Sequence, residues 1–169
     1  MVIRRKPVAL VGTALVAGIV IGCWYWYISR PQYRIRKRFD ALSARVSKQP
    51  EESTGVMAFK MHSLSELFGR EVVLDFAEYA GSGRYSAETL ASRVARIRPH
   101  FTQITLSFHD VTIMLIHESE AEADVTARLV AQRQSGEPNE DTREVRCTLR
   151  KMDGEWRFTA FREIEVLRR

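Results

Sequence analysis

The sequence predicts an α+β fold behind an N-terminal transmembrane helix. Residues 8–28 are 21 consecutive positions without a charged side chain. Between residues 31 and 97, three segments carry apolar residues at helical spacing, and between residues 104 and 158 apolar and polar residues alternate in four segments. Helices followed by a run of antiparallel strands typically gather on one face of the sheet, which is the α+β arrangement.

The first element, residues 8–28, is long enough to cross a bilayer as one helix. A helix rises about 1.5 Å per residue, so roughly 20 apolar residues cross a hydrocarbon core of about 30 Å. Cations bracket the run, and an aromatic cluster closes it where headgroups are expected to begin. The cations are Arg4, Arg5, Lys6 and Arg30, and the aromatic cluster consists of Trp24, Tyr25, Trp26 and Tyr27. We expect a single-pass membrane protein.

Two features inside the run leave alternatives open. Val20-Ile21-Gly22-Cys23 resembles a bacterial lipobox, in which Cys23 would carry the lipid, although an aromatic cluster rather than a polar tether follows it. Ala14, Gly18 and Gly22 recur at intervals of four, a stripe that lets two spans approach closely and form a homodimer. Such residues are also common in spans that do not associate.

Orientation is predicted from the charges beside the span. The count of cations after it favours a cytoplasmic domain, whereas a tail bearing Arg4, Arg5 and Lys6 is costly to translocate. We expect an extracytoplasmic domain tethered to a bacterial inner membrane. The predicted organisation is tail and span at 1–30, a juxtamembrane amphipathic helix at 31–48, and the remainder of the folded domain at 49–169.

Charge argues against a nucleic-acid partner. The net charge of +5 divides into +9 for residues 1–48 (ten Lys/Arg, one Asp) and −4 for residues 49–169 (sixteen Lys/Arg, twenty Asp/Glu). The basicity therefore belongs to the anchor, where it suits anionic headgroups. We expect no cofactor and no metal, because no phosphate-binding glycine motif occurs and the four histidines lack ligand spacing.

The helical segments come first in the predicted domain. The first has Ile35, Phe39, Leu42 and Val46 on one face. The second has Met57, Met61, Leu64 and Phe68 on one face and is closed by Gly69 as the residue after its C-cap. A short strand over 71–79 and a turn over 80–84 follow. Ser86 then caps a third helix, which stops near Pro99.

The remaining elements form a predicted meander of four strands. In the first, the apolar set changes parity after His109-Asp110, which indicates a β-bulge. The second alternates over 121–129, the third over 145–149, and Asp153-Gly154 turns the chain into the fourth. The charged outward rows are typical of an exposed sheet face; they comprise Glu122, Asp124, Arg128, Arg146 and Arg150.

Residues 32–167 resemble the nuclear transport factor 2-like superfamily, which includes SnoaL-like cyclases and ketosteroid isomerases. The resemblance rests on the element order, on the helix that ends at Pro99 and runs into Phe101-Thr-Gln-Ile-Thr-Leu, and on the hairpin Leu149-Arg-Lys-Met-Asp-Gly-Glu-Trp-Arg-Phe158. It implies a cone-shaped, curved antiparallel sheet packed by three helices. The open end of such a cone often forms a pocket.

The resemblance also implies where catalytic groups would lie. Enzymes of this superfamily place an Asp or His, and often a Tyr, inside the cone, and the candidates here are Asp75, Tyr79 and His109. A carboxylate in an apolar pocket has a raised pKa suited to proton transfer. However, Asp75 falls on the less apolar side of its strand, where pairing with an Arg is the simpler interpretation. His109 and Asp110 are sequence neighbours that point to opposite sides of a strand.

These observations favour a non-enzymatic binding or assembly module that recognises a protein partner, a second copy or a small apolar ligand. Its layout is analogous to membrane-anchored assembly components of type IV secretion systems. The alternative is a membrane-tethered SnoaL-like isomerase, cyclase or dehydratase acting on a lipophilic substrate. A third interpretation is a scaffold that dimerises through both sheet and span.

Overall fold

A computed structural model describes residues 30–76 and 81–164. The predicted span, its aromatic cluster, Cys23, Ala14, Gly18, Gly22 and Tyr79 lie outside these residues. No helix within the described ranges has the length and apolarity needed to cross a membrane. The chain divides into two compact units, residues 1–35 and 36–169, and the second contains the whole described sheet.

Three helices and six strands make up the described part. The helices are α1 (Pro31–Val46), α2 (Thr54–Ser65) and α3 (Ala87–Ile97), the last followed by a 3-10 turn at Arg98–His100. The strands are β1 (Phe68–Asp75), β2 (Gly83–Ser86), β3 (Gln103–His117), β4 (Glu120–Gln132), β5 (Asn139–Met152) and β6 (Glu155–Glu163). The α+β prediction is confirmed.

One sheet contains all six strands in the order β2-β1-β6-β5-β4-β3. The predicted meander β3 to β6 is confirmed, with antiparallel pairing throughout. The sheet departs from the predicted antiparallel arrangement at one pair, because β1 lies parallel to β6, with Leu74 opposite Phe161. The long connection from β1 through α3 to the meander permits this parallel neighbour.

The predicted bulge in β3 is confirmed. Its pairing with β4 shifts register between His109 and Thr112, and Asp110 has a φ of 52°. In the turn between β5 and β6, Asp153 and Gly154 have φ values of 53° and 80°. A type I′ turn requires positive φ at both central positions, and its twist matches that of the strands that it joins.

The boundaries between residues 65 and 86 differ from the prediction. α2 ends at Ser65, so Gly69 lies in β1 rather than after a helix. Phe68 pairs with Phe158 of β6, and the backbone N–H of Phe158 donates to the carbonyl of Leu67 at 2.9 Å. Sheet pairing thus overrides the helical spacing of Phe68.

Part of the predicted turn is a strand. β2 pairs antiparallel with β1, placing Tyr85 opposite Val72. Ser86 nevertheless caps α3 as predicted, because its hydroxyl accepts a hydrogen bond from the backbone N–H of Thr89 at 3.2 Å. Ser53 caps α2 in the same way by accepting from Val56.

The core of the domain lies between the helices and one face of the sheet. Its strand residues follow the predicted alternation: Ala121, Ala123, Val125, Val145, Cys147, Leu149, Trp156 and Phe158 are buried. From α1, Phe39 and Leu42 are buried against it. The alternation fails at Leu129, which is 38% exposed, and Ala131 of the same strand is buried again.

Candidate functional site

Aromatic rings occupy the space between α1 and the sheet, where the resemblance implies a pocket. Phe39 of α1 meets Phe108 of β3 and Phe158 of β6 edge-on, with centroids 5.1 Å and 5.0 Å apart. Phe158 in turn stacks on Phe161 at 5.3 Å, and Phe68 lies 6.4 Å from Phe158. Such geometries are favourable packing for aromatic side chains. The side chains that meet here are apolar.

Asp75, the first candidate base, lies at the end of β1 and is exposed. Its carboxylate is 3.3 Å from the guanidinium of Arg162, the residue directly opposite on β6. The ion pair and the exposure place Asp75 on the surface of the domain. It therefore lacks the enclosed, apolar surroundings of a catalytic group in a pocket.

His109 and Asp110, at the bulge of β3, are also exposed. The Nε2 atom of His109 lies 3.1 Å from the hydroxyl of Ser107, and Asp110 accepts a long hydrogen bond, 3.4 Å, from Thr126. Three strands separate β3 from β1 in the sheet order. At about 4.8 Å per strand, His109 and Asp75 lie roughly 19 Å apart along the sheet, so they do not converge.

The outer sheet face forms a broad trough of about 1180 Å³. Charged side chains of both signs dominate its lining, namely Arg70, Glu71, Arg84, Glu120, Glu122, Arg150, Asp153, Arg157 and Arg162. Several pair across strands: Arg150 lies 3.2 Å from Glu120, and beside the trough Arg146 lies 2.7 Å from Asp124. The hydrogen bond from Arg146 outweighs the desolvation of Asp124 and lowers the pKa of that carboxyl. This is the charged face that the sequence predicts.

Two charged residues of the trough lie outside its ion pairs. Arg70 and Glu122 take part in no ion pair among residues 30–76 and 81–164. The Nε atom of Arg157, a residue that also lines the trough, is itself buried and has no hydrogen-bond partner among the described residues.

A second polar cluster lies beneath the connection between α1 and α2. The buried guanidinium of Arg98 donates to the carboxylate of Glu52 and to the carbonyl oxygens of Arg45, Val46 and Ser47. The carbonyls of Arg45 and Val46 end α1 and lack partners within the helix, and that of Ser47 follows directly. Arg98 therefore caps α1 from a distant part of the chain and places a cation at the negative end of its dipole.

Lys60 completes this cluster by donating to the second carboxylate oxygen of Glu52 at 2.6 Å. Burial acts to raise the pKa of Glu52, but the hydrogen bonds and charges of Lys60 and Arg98 outweigh it and hold the pKa below its usual value. A cavity of about 570 Å³ opens above the pair, lined by residues of the 49–60 segment. The sequence gives no signal for this cluster, because Arg98 and Glu52 are 46 positions apart.

The described residues form neither a metal-binding group nor an accessible thiol. No group of three His, Cys, Asp or Glu side chains among them could hold a metal ion. Cys147 is buried in the core, and desolvation raises the pKa of its thiol, which disfavours the reactive thiolate.

Comparison with known proteins identifies the fold. No protein-family model matches the sequence, and no curated protein is similar to it. Solved structures do match. One described as nuclear transport factor 2-like with a cystatin-like fold, from Novosphingobium aromaticivorans, has a TM-score of 0.59 and 14% identity, over 93% of this chain and 91% of that one. This chain has the nuclear transport factor 2-like fold.

Two further structures from the same organism are similar in fold. A scytalone dehydratase-like protein has a TM-score of 0.60 and 12% identity, with 80% of this chain and 84% of that one covered. An aromatic-ring-hydroxylase-like protein has a TM-score of 0.63 and 9% identity, with 79% and 87% covered. At such identities the nuclear transport factor 2-like fold is shared, whereas the chemistry of a site must be argued from its residues.

Within this nuclear transport factor 2-like fold, the described candidates do not take the positions that the resemblance implies. Asp75 and His109 lie at exposed positions on different strands instead of inside the cone. The interior holds phenylalanine rings, and the polar groups that cluster, Arg98, Glu52 and Lys60, hold the α1–α2 connection in place.

Proposed function

We propose that the chain is a membrane-anchored, non-enzymatic binding or assembly module, whose folded domain recognises a protein partner or a second copy through its outer sheet face. The observation that carries this proposal is the aromatic interior. Phe39 contacts both Phe108 and Phe158 in the region where a nuclear transport factor 2-like enzyme would place its substrate. General acid–base catalysis needs a polar group within hydrogen-bond reach of the reacting atom.

The trough supports recognition of a protein surface of mixed charge. It carries five cations and four anions in its lining, so it suits neither a polyanion nor a polycation. Both signs side by side are what a twofold interface requires, because each residue must meet a complementary residue of the same surface. The unpaired charges of Arg70 and Glu122 would set the specificity of such contacts rather than most of the affinity.

The anchor is proposed from the sequence. The 21-residue uncharged run, the flanking cations and the aromatic cluster Trp24 to Tyr27 support a single span. Attachment confines the domain to two dimensions and raises the local concentration of copies, so a weak sheet-to-sheet contact becomes sufficient for assembly.

The decisive experiment measures association of the full-length protein in mild detergent and in membranes. We expect a dimer or a stoichiometric complex by light scattering, and we expect Glu122→Lys to reduce the associated fraction several-fold. Glu137→Lys, the same change in the exposed loop after β4, is the matched control and should have no effect. A monomeric wild-type chain without a stoichiometric partner would contradict the proposal.

The enzymatic alternative has one supporting observation, the scytalone dehydratase-like neighbour. If the chain were a tethered isomerase, cyclase or dehydratase, Asp75→Asn would abolish turnover of a bound lipophilic compound and leave folding intact. We expect no such compound to co-purify after detergent extraction. A stoichiometric lipophilic ligand whose conversion depends on Asp75 would replace the binding-module proposal.

A further inference from the structure

The last part of β3 is an exposed apolar strand end. β3 lies at the edge of the sheet, so one side of its backbone faces away from β4. Met114, Leu115 and Ile116 are 43%, 43% and 47% exposed. Because successive side chains point to opposite faces of a strand, this apolar surface surrounds the strand end rather than facing the core.

The earlier part of the same edge is covered by α1 and by the two residues that follow it, Ser47 and Lys48. Lys48 and Ile104 exchange two backbone hydrogen bonds, of 2.8 Å and 3.0 Å. The hydroxyl of Ser47 accepts from the backbone N–H of Leu106 at 3.0 Å, and the guanidinium of Arg36 donates to the carbonyl of Val111 at 3.0 Å. The protection of the edge by these contacts ends at Val111, immediately before the apolar end.

These contacts fix the direction of α1 beside β3. From Ser47 back to Arg36 is eleven helical residues, about 16 Å, and from Leu106 to Val111 is five strand residues, also about 16 Å. The two segments therefore run antiparallel over the same length. Beyond Val111, β3 continues for five more residues to Ile116, which carries the apolar end about 16 Å past Arg36.

The predicted span precedes α1 in the sequence, so it joins the domain through the end of α1 that carries Arg36. Arg36 lies eight positions after Ile28, the last residue of the uncharged run. The five steps from Pro31 to Arg36 belong to α1, so the eight steps cover about 12 Å as a continuous helix and at most about 18 Å when the three steps before Pro31 are extended. The reach of the strand end past Arg36, about 16 Å, falls between these limits.

We infer that the end of the β3–β4 hairpin, residues 113–117, inserts into the membrane interface and makes a second contact between the domain and the bilayer. This inference rests on the anchor in the proposed function. The occupant is the lipid surface, because the proposed anchor would hold the domain at a bilayer and Met114, Leu115 and Ile116 present exposed apolar side chains. Exposed apolar surface of this kind gains free energy on entering the boundary between headgroups and acyl chains.

The composition of the turn limits the depth of insertion. Glu118 and Glu120 flank Ser119 in the turn, and carboxylates do not enter the hydrocarbon core without a large cost. The three apolar side chains therefore reach the interface while the turn stays at headgroup level. Since the turn is acidic, the contact should form on zwitterionic lipid without requiring anionic headgroups.

The test uses full-length protein in phosphatidylcholine vesicles, with Cys23→Ser to leave only the buried Cys147. An environment-sensitive fluorophore is attached at Ile116→Cys or, as the matched control, at Leu129→Cys, another exposed apolar position on this hairpin. Leu129 pairs with Leu106, at the opposite end of the α1 contact. Thermal unfolding of both labelled variants must match that of the unlabelled chain.

We expect the label at position 116 to shift to shorter wavelength and to lose most of its emission to nitroxide-labelled lipids, while the label at 129 does neither. Vesicle-bound protein in which both labels resist quenching would overturn the inference and leave the anchor standing. Failure of the chain to float with vesicles would overturn the anchor and the inference together. Efficient cross-linking between two copies through position 116, without quenching, would assign the edge to a second copy.

Discussion

The guanidinium of Arg98 donates a hydrogen bond to the carboxylate of Glu52, and the two side chains are only 1% and 4% exposed. Removing two charges from water is costly, and their attraction offsets the cost only when the remaining hydrogen-bonding groups are satisfied. Here Lys60 binds the second carboxylate oxygen, and carbonyls at the end of α1 accept from the terminal nitrogens of the guanidinium, while the buried Nε atom of Arg98 has no partner among the described residues. The pair thus joins α1, α2 and the turn after α3.

Arg98→Met should destabilise the domain by about 3–5 kcal/mol. The substitution leaves the Glu52 carboxylate buried with one partner fewer and removes the cap from the last carbonyls of α1. Urea denaturation measures the loss. Arg150→Met, which breaks the exposed ion pair with Glu120, is the control and should cost less than about 1 kcal/mol. Equal effects of the two substitutions would contradict a structural role for the buried cluster.

The stability of the domain should fall in acid partly through Glu52. Because the pKa of this carboxyl is lower in the folded state than its ordinary value of 4.5, its ionised form stabilises the fold at neutral pH. That contribution begins to decline as the pH drops through the ordinary value and is lost once the pH passes below the folded pKa.

The free energy of unfolding of wild type and Glu52→Gln, measured from pH 7 to pH 3, checks this. We expect the variant to be less stable near neutral pH and the two curves to converge in acid. Glu71→Gln, which changes an exposed carboxylate 4.0 Å from Arg84, is the matched control and should change the free energy of unfolding at neutral pH by less than about 1 kcal/mol. A constant difference between wild type and Glu52→Gln at every pH would show that protonation of Glu52 is not responsible.

Long periodic segments could be predicted from the sequence because burial imposes a repeat on them. The alternation at Ala121, Ala123 and Val125 and the parity change at Asp110 each reflect which face of a strand meets the core. β2, by contrast, has four residues and carries too little pattern to be distinguished from the turn beside it.

Contacts between segments that lie far apart in the sequence leave no repeating pattern in it. Phe68 fits the helical spacing of Met61 and Leu64, yet it pairs with Phe158, which lies 90 residues further along the chain. Arg98 and Glu52 likewise look like ordinary surface charges in the sequence. Their roles arise only from folding, so sequence reasoning pointed to Asp75 and His109 and missed the buried cluster.

Phe158→Ala should destabilise the domain by about 3–5 kcal/mol, because it removes the ring that contacts Phe39, Phe68 and Phe161 and leaves a cavity. Phe59→Ala is the matched control: its ring is 71% exposed on α2, and its loss should change stability by less than about 0.5 kcal/mol. Thermal or chemical unfolding measures the stability of the two variants and of the wild type. A small effect at Phe158 would mean that the interior is loosely packed and open to a ligand.

Cys147 should resist thiol reagents in the native protein. The thiol is buried, and desolvation raises its pKa, so both access and thiolate formation are suppressed near neutral pH. In the Cys23→Ser chain, we expect iodoacetamide to modify Cys147 only at the rate at which the domain opens, and therefore faster in Arg98→Met. Mass spectrometry of timed samples measures this rate. Modification as fast as that of a urea-unfolded sample would place Cys147 at the surface and contradict the inward register of β5.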